Sequence, residues 1–153
     1  MKASSSAIVL LYLGMVAFTP TSGGQALHNC KTGNIYKTAD HSDVKHIEVL
    51  FTDIHSALVT SDKKKLSELM HYPLSVGTLK GSFTVRSKAE FLGKYDMIIS
   101  NDLRAFLLRQ KARCVGEVGS RGFTLGSGQI WFDEFDPGDF KIFTINNVVY
   151  STD

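Results

Sequence analysis

"RGFTLGSGQIWFDEF", residues 121–135, decides how the last third of this chain is built. Three glycines, Gly122, Gly126 and Gly128, fall within seven positions, and an aromatic, acidic run follows at once. A phosphate-cradling loop would need a strand, then the glycines, then a helix whose N-terminus meets the phosphates. Here the glycines sit between two strand-like runs, Gly122–Leu125 and Gln129–Phe135, and no Gly-Lys-Ser/Thr follows. Gly126-Ser127-Gly128 therefore reads as a hairpin turn, where glycine supplies positive φ at little steric cost. The stretch predicts antiparallel sheet, with no phosphate-binding loop.

Working outward, strand signals continue on both sides. Cys114–Val118 precedes, Asp136-Pro137-Gly138-Asp139 is a strong turn, and Phe140–Val149 reads as the last strand. Alternation puts Phe140, Ile142 and Thr144 on one face of that strand and Phe143 and Ile145 near the other. Upstream, the period changes. Val44, Ile47, Phe51, Ile54 and Leu58 follow a 3-4-3-4 spacing that builds one apolar helical stripe. Ser42 or Asp43 caps its start, Thr60-Ser61-Asp62 breaks it, and Asp62 caps a short second helix ending near Met70. Tyr72-Pro73 forces extended backbone, so Leu74, Val76 and Leu79 read as a strand, Lys80-Gly81-Ser82 as a turn and Phe83–Arg86 as the returning strand. Ser87-Lys88-Ala89-Glu90 is a capping box opening a helix whose buried side is Phe91, Leu92, Tyr95, Ile98 and Ile99. A further helical piece follows Ser100-Asn101, with Leu103, Phe106 and Leu107 inside.

The N-terminus reads as a secretory signal. Lys2 is its only charge, Ala7–Phe18 is apolar, and Gly24-Gln25-Ala26 is a small-x-small cleavage site. Twelve apolar residues are short for a membrane span, which needs about 20. The alternative is an uncleaved anchor. Cleavage after residue 26 leaves 127 of the 153 residues, with residues 27–42 as a loosely ordered lead-in and 43–153 as one α+β domain. The expected location is periplasmic or secreted. Without Lys2, 16 basic residues face 15 acidic ones, so no clustered basic excess marks a nucleic-acid partner. Cys30 and Cys114, 84 residues apart, form a disulfide candidate in an oxidising compartment. The alternative is two unpaired thiols. No Cys/His spacing supports a metal, and no motif implies a cofactor.

The element order, with "HYPLSV" (71–76), "SKAEFLGKYDMI" (87–98) and "GFTLGSGQIWF" (122–132), resembles the nuclear-transport-factor-2-like superfamily. The likeness covers roughly residues 43–149 and points to exported bacterial members. It implies an α+β fold, with N-terminal helices packed on a curved antiparallel sheet to form a cone, and dimerisation through the sheet. The superfamily includes isomerases, cyclases, dehydratases and non-enzymatic binding domains, so the site must choose among them.

Enzymatic members use a carboxylate or a His/Asp pair in an apolar cone, where burial raises a carboxylate's pKa into the range of a usable base. His55 borders the first helix's stripe, as a pocket acid/base or as a boundary histidine. Tyr95 lies on an apolar helix face, with a hydroxyl that enters the cone or finds a backbone partner. Trp131 and Asp133 share one face of their strand. If that face is concave, Trp131 lines a pocket and Asp133 is its base; if convex, Trp131 supports a dimer and Asp133 is solvated. Tyr72 sits at the cone's mouth or packs on the hairpin. No serine nucleophile elbow occurs.

The leading expectation is an exported binding domain without a catalytic set, taking a small apolar ligand or an envelope protein. The alternative is a lyase or isomerase on a small hydrophobic substrate, with Asp133 or His55 as base and Tyr95 as donor. A third reading, a partner-binding protein such as a toxin antagonist, predicts an exposed apolar patch on the sheet's outer face.

Overall fold

The structure is a computed structural model that describes Ile35 and residues 39–149. The expected signal segment therefore lies outside the described residues, as does nearly all of the lead-in before residue 39. Ile35 is the exception: it is fully buried in the core, so this part of the lead-in packs against the domain.

Helix α1 (His41–Thr60) starts two residues before Asp43, with Asp40 at its N-cap. It buries Val44, Ile47, Leu50, Ile54, Ala57 and Leu58 along one side, while Phe51 of the expected stripe is only partly buried against the core. Ser61 ends it in the left-handed region at φ 56°, and its N–H reaches back to the Ala57 and Leu58 carbonyls. The Arg104 guanidinium adds a second cap, donating to the Leu58 carbonyl at 2.6 Å and the Ser61 hydroxyl at 3.0 Å. Asp62 caps α2 (Lys63–Glu68) by accepting from the Lys65 N–H at 2.8 Å.

Strands β1 (Met70–Thr78) and β2 (Gly81–Val85) form a hairpin through Leu79-Lys80. Leu79, expected in the strand, is 83% exposed at its tip. Ser87 caps α3 (Lys88–Gly93) by accepting from the Glu90 N–H. The Glu90 carboxylate reaches back one residue further than a capping box requires, to the Arg86 N–H at 2.7 Å. Its hydrogen bond from Lys94 is the main reason its pKa is lowered. The helix then breaks at Lys94 before α4 (Tyr95–Ile98). Leu92, expected on the buried side, is 40% exposed; within α3 the buried residue is Phe91. Ser100 caps α5 (Asn101–Leu108).

The C-terminal segment is sheet interrupted by two short 3₁₀ turns, Ala112–Cys114 and Gly119–Arg121. They reduce the expected strand at 114–118 to β3 (Gly116–Glu117). Strand β4 (Phe123–Leu125) turns through residues 126–129 into β5 (Ile130–Asp136), and β6 (Asp139–Asn147) follows. The glycine cluster is thus a hairpin turn. Gly126 and Gly128 adopt φ of 76° and 92°, and the Gly128 carbonyl accepts from Asn146 at 2.6 Å.

The six strands lie in the order β2-β1-β6-β5-β4-β3. The β1/β6 pair is parallel and the other pairs are antiparallel. The sheet is therefore mixed, which corrects the expected all-antiparallel sheet. Chain geometry accounts for this. β1 enters from the helices and β6 closes the chain, and the long connection between them permits the parallel central pairing that a tight turn forbids. The architecture is α+β, with helices packed against an open sheet. Leu74, Val76, Phe123, Ile130, Phe132, Ile142 and Ile145 share one buried cluster with the apolar side of α1.

Candidate functional site

Strand β5 alternates. Ile130 and Phe132 are buried in the core shared with α1, so Trp131 and Asp133 point to the opposite, outer face. This face is the one turned away from the core shared with α1. A trough of about 510 Å³ lies there, lined by Ser120, Arg121, Trp131, Asp133, Phe135, Phe143 and Thr144.

Two β-bulges lie along its aromatic wall. Between β5 and β6, Trp131 pairs with Thr144 but Phe132 pairs with Ile142, leaving Phe143 as an extra residue on β6. Glu134 pairs with Phe140 but Asp136 pairs with Asp139, leaving Phe135 as an extra residue on β5. A bulge re-aims a side chain and bends its strand. The first one overturns the alternation expected for β6. Ile145 joins Phe140 and Ile142 in the core, while Thr144 and Phe143 both line the trough.

The rings are held in place by neighbours. The Trp131 Nε1–H donates to the Gly128 carbonyl at 3.1 Å. Phe135 stacks on His71 of β1, with centroids 3.7 Å apart and planes 9° off parallel. Phe143 meets Phe135 edge-on at 6.3 Å. The Arg121 guanidinium lies 5.9 Å from the Trp131 ring centre, at the limit of a cation–π contact. Arg121 forms no ion pair with a described residue. Gly122 (φ 81°) lets its loop close on β5, because a Cβ there would stand 3.0 Å from Asp133 Cγ. One Asp133 oxygen, Oδ1, accepts from the Glu134 N–H at 2.9 Å.

The other candidates lie elsewhere. His55 bonds through Nε2 to the Leu107 carbonyl at 3.0 Å and stacks on Phe51 at 4.5 Å, tying α1 to α5. Tyr95 is buried beside Phe91, with Lys63 Nζ 4.5 Å from its ring centre, and burial pushes its phenol pKa up. Tyr72 packs locally. Its hydroxyl donates to the Ser67 carbonyl at 3.0 Å, and burial pushes its pKa up to about 12.

Asp133 and Tyr95 therefore belong to opposite sides of the sheet, and the His55 ring bonds a backbone carbonyl. The base-and-donor set expected for a lyase or isomerase is not assembled. In the core on the helix side of the sheet, Phe91, Ile98, Ile54 and Leu58 are packed at 0–2% exposure.

Cys114 is buried and disulfide-bonded; Cys30, the other half of the expected pair, lies outside the described residues. Among the described residues no group of three or more His, Cys, Asp or Glu is placed to hold a metal ion. Among the same residues no helix is long and apolar enough to cross a membrane.

Sequence reasoning found Trp131 and Asp133 but missed Phe135, Phe143, Thr144 and Arg121. Phe135 was within reach, since it shares parity with Trp131 and Asp133. Phe143 and Thr144 were hidden by the bulge, and Arg121 by a 3₁₀ turn that carries no periodic signal. No protein-family model matches the chain, and neither a curated protein nor a solved structure matches it.

Proposed function

We propose that this protein is an exported, non-catalytic binding domain of the nuclear-transport-factor-2-like kind, and that it recognises its partner on the outer face of the sheet. The carrying observation is the division of labour on β5. Ile130 and Phe132 fill the interior, while Trp131, Asp133 and the bulged Phe135 line an open trough with Phe143. A site with a packed interior and fixed exposed rings favours surface recognition over chemistry in a cone. The basic n-region, apolar run and small-x-small site at the N-terminus support export.

Trp131 is the chain's only tryptophan, so its emission reports on the trough directly. The test screens a small-molecule fragment library by Trp131 emission, in the parent and in Phe143→Ala. Saturable responses that Phe143→Ala abolishes, with an unchanged circular dichroism spectrum, are expected. A ligand bound equally well by both proteins would overturn the outer-face reading. Turnover of any substrate that is lost in Asp133→Asn would overturn the non-catalytic one.

A further inference from the structure

Resting on the outer-face reading, we propose that the trough binds a neutral oligosaccharide chain. Its rings are already held in place. Trp131 is pinned by its bond to the Gly128 carbonyl, Phe135 by the His71 stack and Phe143 by its edge contact with Phe135. Rigid aromatic faces bind the C–H faces of pyranose rings with little ordering cost, because little side-chain freedom remains to be lost.

The polar lining suits vicinal hydroxyls. The Arg121 guanidinium offers donors in a planar fork, and Asp133 offers carboxylate acceptors. Ser120 and Thr144 supply hydroxyls that do both. Arg121 has no carboxylate partner among the described residues, so its donors are open to a ligand.

Charge then narrows the class. One cation and one anion line the trough, and neither sign prevails. An anionic ligand would meet Asp133 and a cationic one Arg121, whereas a neutral polyol uses both. Size is compatible with such a ligand. About 510 Å³ falls within the roughly 300–1,000 Å³ of small-ligand sites. A protein interface would need about 800 Å² per partner around a charge-depleted centre. Arg121 and Asp133 lie within the trough itself.

The test titrates the full mature chain with cellohexaose, chitohexaose and maltohexaose, reading Trp131 emission, with sodium dodecanoate as an apolar anion for comparison. At least one hexasaccharide is expected to give a saturable response with Kd between about 10 μM and 1 mM. That response should be nearly unchanged by added NaCl, because the ligand is uncharged. Phe143→Ala should weaken it about tenfold, the scale of one aromatic contact. Asp133→Asn, a smaller change less able to perturb folding, should weaken it as well.

No saturable response from any hexasaccharide up to about 10 mM overturns the proposal. So does a response that survives both substitutions. Dodecanoate or library fragments binding in a Phe143-dependent way while the sugars do not would also overturn it, yet leave the outer-face reading standing. A concentration-dependent dimer that shields Trp131 from acrylamide overturns the open trough altogether.

Discussion

Trp131 and Phe132 are neighbours in sequence and opposites in role, and truncating each to alanine separates site from scaffold. Phe132 is 2% exposed. It stacks on Phe123 at 5.7 Å and meets Phe140 edge-on at 6.4 Å. Phe132→Ala leaves a cavity at the centre of the sheet's inner face and should cost about 3–5 kcal/mol of unfolding free energy. Trp131 is half-buried on the outer face and makes one hydrogen bond, to the Gly128 carbonyl. Its removal forfeits that bond, about 0.5–1.5 kcal/mol net, and part of one ring's burial, for a total of about 1–2 kcal/mol. The assay is urea unfolding followed by far-ultraviolet circular dichroism, since the tryptophan signal is lost in one variant. Equal m-values would certify that the compared states expose the same surface. Trp131→Ala proving as costly as Phe132→Ala would refute the reasoning, because Trp131 would then be a core residue. A cost below about 1 kcal/mol for Phe132→Ala would refute it too, because the interior would then have room for a ligand.

Tyr72 gives a pH prediction. Burial raises its folded pKa to about 12 from 10.0, so the unfolded chain releases this proton first. Stability from the neutral phenol is fully present below pH 10 and is lost as pH rises through about 12, and Tyr72→Phe should flatten that decline in a urea titration across this range. Gly126→Ala forces a side chain into φ 76° with its Cβ 2.6 Å from the Phe106 ring. It should lower stability by at least about 1–2 kcal/mol, read as a reduced Tm, and a neutral result would disprove the tight turn. His55→Ala should cost about 1–2 kcal/mol through its lost bond to Leu107 and leave ligand responses of Trp131 unchanged, whereas a pocket acid/base would show the reverse. Peptide mapping under non-reducing conditions should recover Cys114 joined to Cys30, and recovery of either as a free thiol would contradict that pairing.

The sequence by itself determined whatever depends on near neighbours along the chain. The 3-4 spacing of Val44, Ile47, Phe51, Ile54 and Leu58 marked the buried side of α1, with Phe51 at its margin, and Asp62, Ser87 and Ser100 marked helix starts through bonds spanning three residues. Gly126 and Gly128 announced the hairpin because positive φ is a property of single residues. Only the tertiary structure decided which face of β5 is the outside, because a strand's alternation is symmetric until helices cover one side. It also decided the parallel β1/β6 pairing, the break at Lys94, the exposure of Leu92, and the bulges at Phe135 and Phe143. A bulge is a mismatch between two strands, so neither strand's own sequence records it. Phe143 joins the trough through such a mismatch, whereas Trp131, Asp133 and Phe135 follow the plain alternation of β5, so that strand's share of the site was legible and the share from β6 became so only once the strands were paired.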